Sequence, residues 1–369
     1  MDYALSQLCE QVTTARANLQ PIEIVGGGTK RFYGNVHART DQACQLELSG
    51  LSGVVTYEPS ELVLTALAGT PLSEIEQTLA AQGQMLAFDP PRFGSASTIG
   101  GVVASGLSGP MSFGYGPLRH YVLGAHLLDA QGRVLKFGGE VMKNVAGYDV
   151  ARLVTGSLGM FGVIVQVSIK VIPLPKRDDT LVLELNESDA LNFCSAFRAQ
   201  AMPIRAAAWL PSTDGATGQL AVRLAGAESA VEQAISKLGG QCLDAKVAQQ
   251  WWMAFRDQTA DFFGAGALWR LAVRAQTPAL ELGPTAFDLG GEVRWVLDTA
   301  NDLDPENLRQ AAQATGGHAT LFRAPEKSEL PADGVFQPMA PAARAIVQRL
   351  KKEFDPKSIF NPGRLVSGI

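Results

Sequence analysis

The sequence predicts a mixed fold, α+β or α/β, and three observations carry that expectation. Segments with period-2 and period-3.6 apolar patterns interleave along the whole chain. Apolar residues make up 46% of the 369 positions and charged residues 18%, enough apolar material for a packed core. Glycine is unevenly spread, with 23 of the 38 in residues 1–175 and 15 in residues 176–369. At about 100–200 residues per domain, the length fits two or three domains.

Read in order, residues 2–18 are expected to form an amphipathic helix, because Leu5, Leu8, Cys9 and Val12 fall on one stripe. Ile22 to Val25 is a short apolar strand that runs into three glycines, and 53–57 and 62–67 read as strands. Pro71 opens a helix to about Ala81, with Leu72, Ile75 and Leu79 inward and Gly83 as its stop. Residues 121–128 read as a strand followed by a turn at DAQGR. The clearest strand is 163–171: Val163, Val165, Val167, Ile169 and Val171 point one way, and Ile164, Gln166, Ser168 and Lys170 the other, the pattern of a half-buried strand. Pro173, Pro175 and the charged run KRDD at 176–179 mark a domain boundary. Beyond it, 188–200 and 228–240 read as helices, and 219–226, 268–275, 293–299 and 318–324 as strands. A helix over 305–317 lies between Pro305 and a glycine pair, and a last helix over 340–356 ends at Pro356 and runs into SIFNPGRL.

The net charge of -5 and the lack of a basic run argue against nucleic acid or an anionic membrane surface as the main partner. Asp2 and Glu10 stand where a signal peptide needs positive charge and then an apolar run, and no stretch of about 18 apolar residues occurs, so neither export nor a transmembrane segment is expected. Cys9, Cys44, Cys194 and Cys242 lie far apart and form no CxxC, which speaks against a zinc ribbon, a thioredoxin motif or an iron–sulfur site held by this chain. A cytoplasmic protein with reduced thiols is the expectation.

The glycines of the first half fall into three clusters, GGGTKRFYG (26–34), GSASTIGGVVASGLSGPMSFGYG (94–116) and GGEVMKNVAGYDVARLVTGSLGMFG (138–162). In the first, Gly26, Gly27 and Gly28 follow a strand, so backbone N–H groups can crowd around an anion, with Thr29 and Lys30 adding a hydroxyl and a charge. A diphosphate is the expected guest; a glycine-rich surface turn is the plain alternative. Neither GxGxxG nor GxxxxGK[ST] is present. In the second, STIGGVVASG at 97–106 places small residues at nearly every position, so a flat ligand could lie against backbone near Ser97, Thr98 and Ser105; close packing of a helix or strand is the alternative.

Together the three clusters resemble the FAD-binding domain of the vanillyl-alcohol-oxidase/p-cresol-methylhydroxylase flavoprotein superfamily, and within it the FAD-binding E subunits of bacterial glycolate oxidase (glycolate dehydrogenase). The resemblance covers residues 20–175, and FDPKSIFNPGRL at 354–365 resembles the closing segment of that family. It implies a two-subdomain FAD-binding domain over 1–175, an α+β cap domain over 176–339, and a return of 340–369 to the first domain. It implies that Gly26, Gly27, Gly28, Thr29 and Lys30 hold the pyrophosphate of FAD. Thr98, Ile99, Gly100, Gly101, Ser105 and Gly106 would line the diphosphate and flavin, and Val163 and Ile164 the adenine end. Some relatives carry a flavin-linking histidine where this chain has Thr29, so the resemblance implies non-covalent FAD; His37, His120 and His126 are the other candidates for a link.

The implied activity is oxidation of a small 2-hydroxy acid such as glycolate, with electrons passed to other subunits of a complex, a second flavin subunit and an iron–sulfur subunit. That places the chain in the cytoplasm, peripheral to the inner membrane only through its partners. A self-sufficient FAD oxidoreductase on another hydroxy acid or alcohol is the alternative. Family members that oxidise 2-hydroxy acids themselves carry an HxGDGNxH-like motif; here the comparable strand is GGHATLFRAP at 316–325, with one histidine, His318, and one arginine, Arg323, as candidates for catalysis and for a carboxylate clamp.

Overall fold

The computed structural model describes residues 2–35, 43–139, 149–198, 200–212, 215, 217–325 and 329–369. Two antiparallel sheets organise them. The first runs Val54–Glu58, Val63–Leu67, Val163–Lys170, Val122–Leu128, Val134–Gly138. Helix Asp2–Ala17 buries Leu8, Val12 and Ala15, and helix Leu72–Ala80 buries Leu72, Ile75 and Leu79, the stripes their spacing dictates. Beside this sheet, Ile22–Val25 pairs in parallel with Cys44–Glu47, and Ile22 also bridges to Phe360 near the far end of the chain.

Val163–Lys170 corrects the expectation of a half-buried strand. It is the central strand of its sheet, and Ile164 and Ser168, expected on an open face, are buried. Ser168 Oγ and Thr65 Oγ1 share a 2.8 Å hydrogen bond, which removes the penalty for enclosing that polar pair. Helix Ile99–Ser105 packs against the same strand.

The second sheet has eight strands, in the order Gln241–Cys242, Arg177–Leu185, Gly218–Gly226, Ile204–Pro211, Thr285–Asp288, Val293–Asp298, Ala267–Ala272, His318–Arg323. Helices Glu187–Arg198, Glu228–Leu238, Ala245–Arg256 and Pro305–Ala314 accompany it. The run KRDD is not linker throughout: Arg177 opens a strand and pairs with Asp179 at 2.6 Å and Glu232 at 2.7 Å, while Asp178 pairs with Arg223 at 2.6 Å on the neighbouring strand. Strand Ile204–Pro211 escapes the sequence pattern because its centre is Ala206-Ala207-Ala208, weak strand formers that are fully buried here.

One apolar core gathers side chains from Leu8 to Val171 and takes in Ile359 and Phe360. Others lie between Leu181 and Val335. One of these, around Trp252, Phe255, Trp295 and Phe322, is met by Phe32, Tyr33, Phe93 and Leu107 from the first half, so the seam between the halves is aromatic. Helix Pro341–Phe354 ends beside a buried ion pair. Lys351 Nζ donates to Asp355 Oδ2 at 2.7 Å, to the Met160 carbonyl at 2.7 Å and to the Phe360 carbonyl at 2.9 Å. Asp355 in turn accepts from the Ile359 and Phe360 amides.

Candidate functional site

The strand Ile22–Val25 delivers the chain into the glycine loop, and that loop forms one wall of a half-open cavity. Helix Ile99–Ser105 forms the second wall through Gly100, Gly101, Ala104 and Ser105, with Thr98 capping it by accepting from the Gly101 amide at 3.4 Å. Leu158, Gly159, Gly162 and Ile164 form the third wall, and Asn361 and Arg364 close the cavity.

The glycines are required for different reasons. A Cβ on Gly27 would sit 1.5 Å from the Ala96 carbonyl oxygen, so the protein itself excludes a side chain there. Gly28 has φ +71°, a backbone conformation that side chains disfavour. Gly101 differs: a Cβ would meet only Thr98 Oγ1, at 3.3 Å, so packing does not demand glycine and its absence of side chain serves the cavity.

Among the described residues, the amide N–H groups of Gly26, Gly27, Gly28, Thr29 and Lys30 donate to no protein acceptor. Five successive amides in one wall thus lack a protein acceptor, and such a run of backbone donors is able to receive an anion. Lys30 is buried and turned toward protein: its Nζ donates to Ser97 Oγ at 2.8 Å, the Arg92 carbonyl at 3.3 Å and Thr29 Oγ1 at 3.4 Å. Burial pulls its ammonium down to about 8, against an upward pull from Asp257. Lys30 therefore adds charge near the wall rather than a free hydrogen bond. The loop is clamped from the distant C-terminal segment: Asn361 Oδ1 accepts from the Ile24 amide at 3.0 Å, Asn361 Nδ2 donates to the Leu158 carbonyl at 2.6 Å, and Arg364 donates to the Lys30 carbonyl at 3.2 Å.

Of the residues singled out from sequence, Gly26, Gly27, Gly28, Thr29, Lys30, Thr98, Gly100, Gly101, Ser105 and Ile164 line this cavity. Ile99 and Val163 are fully buried and do not line it. Gly106 lines a neighbouring cavity that shares Ser105. His37 and the segment 140–148 lie outside the described residues. His120 and His126 do not border the cavity. His318 is exposed at the start of its strand, and Arg323 Nη2 is committed to the carbonyls of Phe263 at 2.7 Å and Gly264 at 3.2 Å. Neither lines the glycine cavity or its neighbour. Sequence reasoning also left out Leu158, Gly159, Gly162, Asn361 and Arg364, although the glycine spacing of GSLGMFG and the asparagine of NPG were signals in view.

The neighbouring cavity, about 240 Å³, lies in the aromatic seam between the two halves. Its first-half wall includes Tyr33, Phe93, Ser105 and Gly106, and its second-half wall Arg270, Asp288 and Trp295. Burial pushes the Asp288 carboxyl up to about 7, against the Leu289 amide and Arg270, which pull it down.

Comparison with known proteins yields four findings. Residues 5–138 match the FAD_binding_4 family, an FAD binding domain. The chain is 38% identical to the glycolate oxidase subunit GlcE of Escherichia coli (strain K12), over 100% of this chain and 99% of that one. It is 29% identical to the glycolate oxidase subunit GlcD of Bacillus subtilis (strain 168), over 46% of this chain but 36% of that one. Among solved structures, an alkyldihydroxyacetonephosphate synthase shares the fold, with TM-score 0.70 at 15% identity over 97% of this chain and 75% of that one. No helix among the described residues is long and apolar enough to cross a membrane.

Proposed function

The chain belongs to the family of the glycolate oxidase subunit GlcE and is an FAD-dependent oxidoreductase, and on that premise we propose that it is the FAD-binding subunit of a multi-subunit 2-hydroxy acid dehydrogenase that oxidises glycolate to glyoxylate and passes electrons to an iron–sulfur partner. The observation that carries this reading is the row of five unpartnered amides from Gly26 to Lys30. A diphosphate supplies the acceptors they lack, and the bare Gly101 face opposite leaves room for a flat ring system. The residues present therefore fit FAD.

In this reading the 26–30 amides hold the pyrophosphate, with the Lys30 charge behind them. Thr98, Ile99, Gly100, Gly101, Ser105 and Gly106 form the diphosphate and flavin side, Ile99 through its backbone. Val163 and Ile164 support the adenine end. FAD, when bound, supplies the hydride-accepting chemistry; the protein supplies orientation and electrostatics. Thr29 offers no nucleophile of the kind that links flavins, so the FAD is held non-covalently. The FAD domain spans 1–175 with 340–369 returning to it, and 176–339 is the cap; the complex is cytoplasmic, touching the inner membrane only through partners.

Acid precipitation should release all the yellow colour into the supernatant; colour left in the pellet would refute non-covalent binding, and a protein that never takes up FAD would refute the whole reading. Dye-coupled oxidation of glycolate and D-lactate, with and without the co-purified subunits, tests the complex. Activity should require the partners. Full activity of the isolated chain would instead establish the self-sufficient oxidoreductase, a reading favoured by the second polar cavity next to the first.

A further inference from the structure

No described residue of the second half, 176–339, lines the glycine cavity. One of them nevertheless holds the segment on which the cavity's loop rests. Residues 92–98 run behind that loop. A Cβ on Gly26 would sit 2.4 Å from Thr98 Oγ1, one on Gly27 1.5 Å from the Ala96 carbonyl oxygen, and one on Gly94 3.1 Å from Thr29 Cγ2. Lys30 Nζ reaches the same segment at Ser97 Oγ and at the Arg92 carbonyl. Atoms this close leave the loop no freedom to settle independently of 92–98.

The support of that segment is lopsided. Its far end is tied within the first half, where the Ser97 carbonyl accepts from the Leu72 amide at 2.8 Å and the Ile99 amide donates to the Thr70 carbonyl at 3.0 Å. Its near end is not. Among the described residues, the backbone of 90–96 makes only two hydrogen bonds, both at Arg92: its carbonyl accepts from Lys30 Nζ, and its amide donates to Asp257 Oδ1 at 2.7 Å. Asp257 follows helix Ala245–Arg256 in the second half and is itself fixed. Its Oδ2 accepts from Arg256 Nη2 at 2.8 Å, and Arg256 Nη1 donates to Asp89 Oδ1 at 3.0 Å. Asp89, Phe93 and Gln258 flank this clasp with φ of 45°, 51° and 55°, a conformation that persists where the surroundings enforce it. Asp257 also acts through space: burial lowers the Lys30 ammonium, and the Asp257 charge opposes that.

We propose that Asp257 is a positioning residue for the glycine cavity: through the Arg92 peptide it fixes the segment that seats Lys30 and the glycine loop, so the second half shapes a cavity that it does not line. The guest's identity as FAD rests on the function proposed above, whereas the path from Asp257 through Arg92 to Lys30 rests on the hydrogen bonds alone. A residue that acts along this path differs from one that only joins the two halves. Asp89 supplies the comparison, because it meets the same Arg256 yet has no bond to Arg92 or Lys30.

The test has two readouts on the full-length chain. The first needs no cofactor: the rate at which an amine-acylating reagent labels Lys30 in FAD-free protein, followed by mass spectrometry. Asp257→Ala should raise that rate about fivefold or more, because Lys30 loses its fixed seat. The second is FAD affinity in a double-mutant cycle. Asp257→Ala should weaken FAD about tenfold when Lys30 is present and less than about threefold in a Lys30→Met chain, the non-additivity of residues on one path. Asp257→Asn keeps an oxygen for the Arg92 amide and should recover part of both losses. Asp89→Asn should lower the melting temperature while leaving both readouts within about twofold. Where the alanine variant does not fold, Asp257→Ser, polar but one atom shorter, takes its place. Lys30 labelling that changes less than about twofold overturns the proposal, as does an equal loss of FAD affinity in both backgrounds. An Asp89→Asn effect as large as that of Asp257→Ala also overturns it, since Asp257 would then only join the halves. Faster labelling in a chain that never takes up FAD supports the positioning role and refutes the cofactor reading.

Discussion

The two cavities are built by opposite means. The glycine cavity is made largely of backbone: a loop of consecutive residues, the small residues of a helix, and amides with no protein acceptor among the described residues. The seam cavity is made of side chains drawn from positions 33, 258, 270, 288 and 295, which only sheet register and the meeting of the two halves bring together. A site made of backbone tolerates few side chains anywhere along its wall. A site made of side chains depends on a handful of groups and leaves the fold around them largely indifferent. Substitutions should therefore separate the two cavities by whether stability and binding fall together or apart.

The largest effect is expected where the glycine cavity is clamped from afar. Lys351→Met would leave the fully buried Asp355 carboxylate without its cation, which costs about 3–5 kcal/mol. A urea midpoint should show it, with FAD lost in parallel. Gly27→Val should cost about 3 kcal/mol or more, because the new Cβ falls on the Ala96 carbonyl oxygen. Stability and FAD content should therefore fall together, read by thermal melts and flavin absorbance.

Gly101→Ala is the sharper probe of the same wall. Its Cβ would press only on the Thr98 hydroxyl, at 3.3 Å, which must give by a few tenths of an ångström, and alanine is the better helix former by about 0.5–1 kcal/mol, so the melt should stay close to that of the unsubstituted chain while FAD affinity falls about tenfold. Unchanged affinity would show that this face does not meet the cofactor. On the seam side, Arg270→Met removes a cation with no protein partner, so the melting temperature should stay within about 2 °C or rise. A large drop would mean Arg270 is structural, and the contrast between the cavities would fail.

The smallest effect is one of pH. The Lys30 ammonium is lowered to about 8, so its charge is present below that pH and lost above it. A diphosphate favours the charged form, so FAD affinity should decline a few-fold from pH 7 to 9, and Lys30→Met should flatten the decline. A flat profile in the unsubstituted chain would remove Lys30 from the electrostatics of the site.

The same contrast governs what could be read from the sequence. Gly26 to Lys30, Thr98, Gly100, Gly101 and Ser105 were visible because glycine and small residues announce backbone geometry locally. Helices Asp2–Ala17 and Leu72–Ala80 were visible because 3.6-residue spacing is local too. Arg270, Asp288 and Trp295 were not, because each is an ordinary strand residue until pairing places it on one face. His318 and Arg323 stood out by analogy of segment, and the fold turned one outward and tied the other to loop carbonyls. The buried face of Val163–Lys170 was misread because polar Ser168 signals solvent until Thr65 is known to face it.

The clamp on the glycine loop also orders events in time. Asn361 lies 337 positions beyond the Ile24 amide it holds, and Arg364 lies 334 beyond the Lys30 carbonyl. At translation rates of about 5–20 residues per second, the loop emerges roughly 20–70 s before its clamp is made. Through that interval the first half also lacks Ile359 and Phe360 from its core. The nascent chain thus cannot assemble the finished cavity, and residues 176–339 are synthesised during the wait. If the cavity holds FAD, as proposed, its capture waits until residues 361–364 have been made and have returned to the first strand.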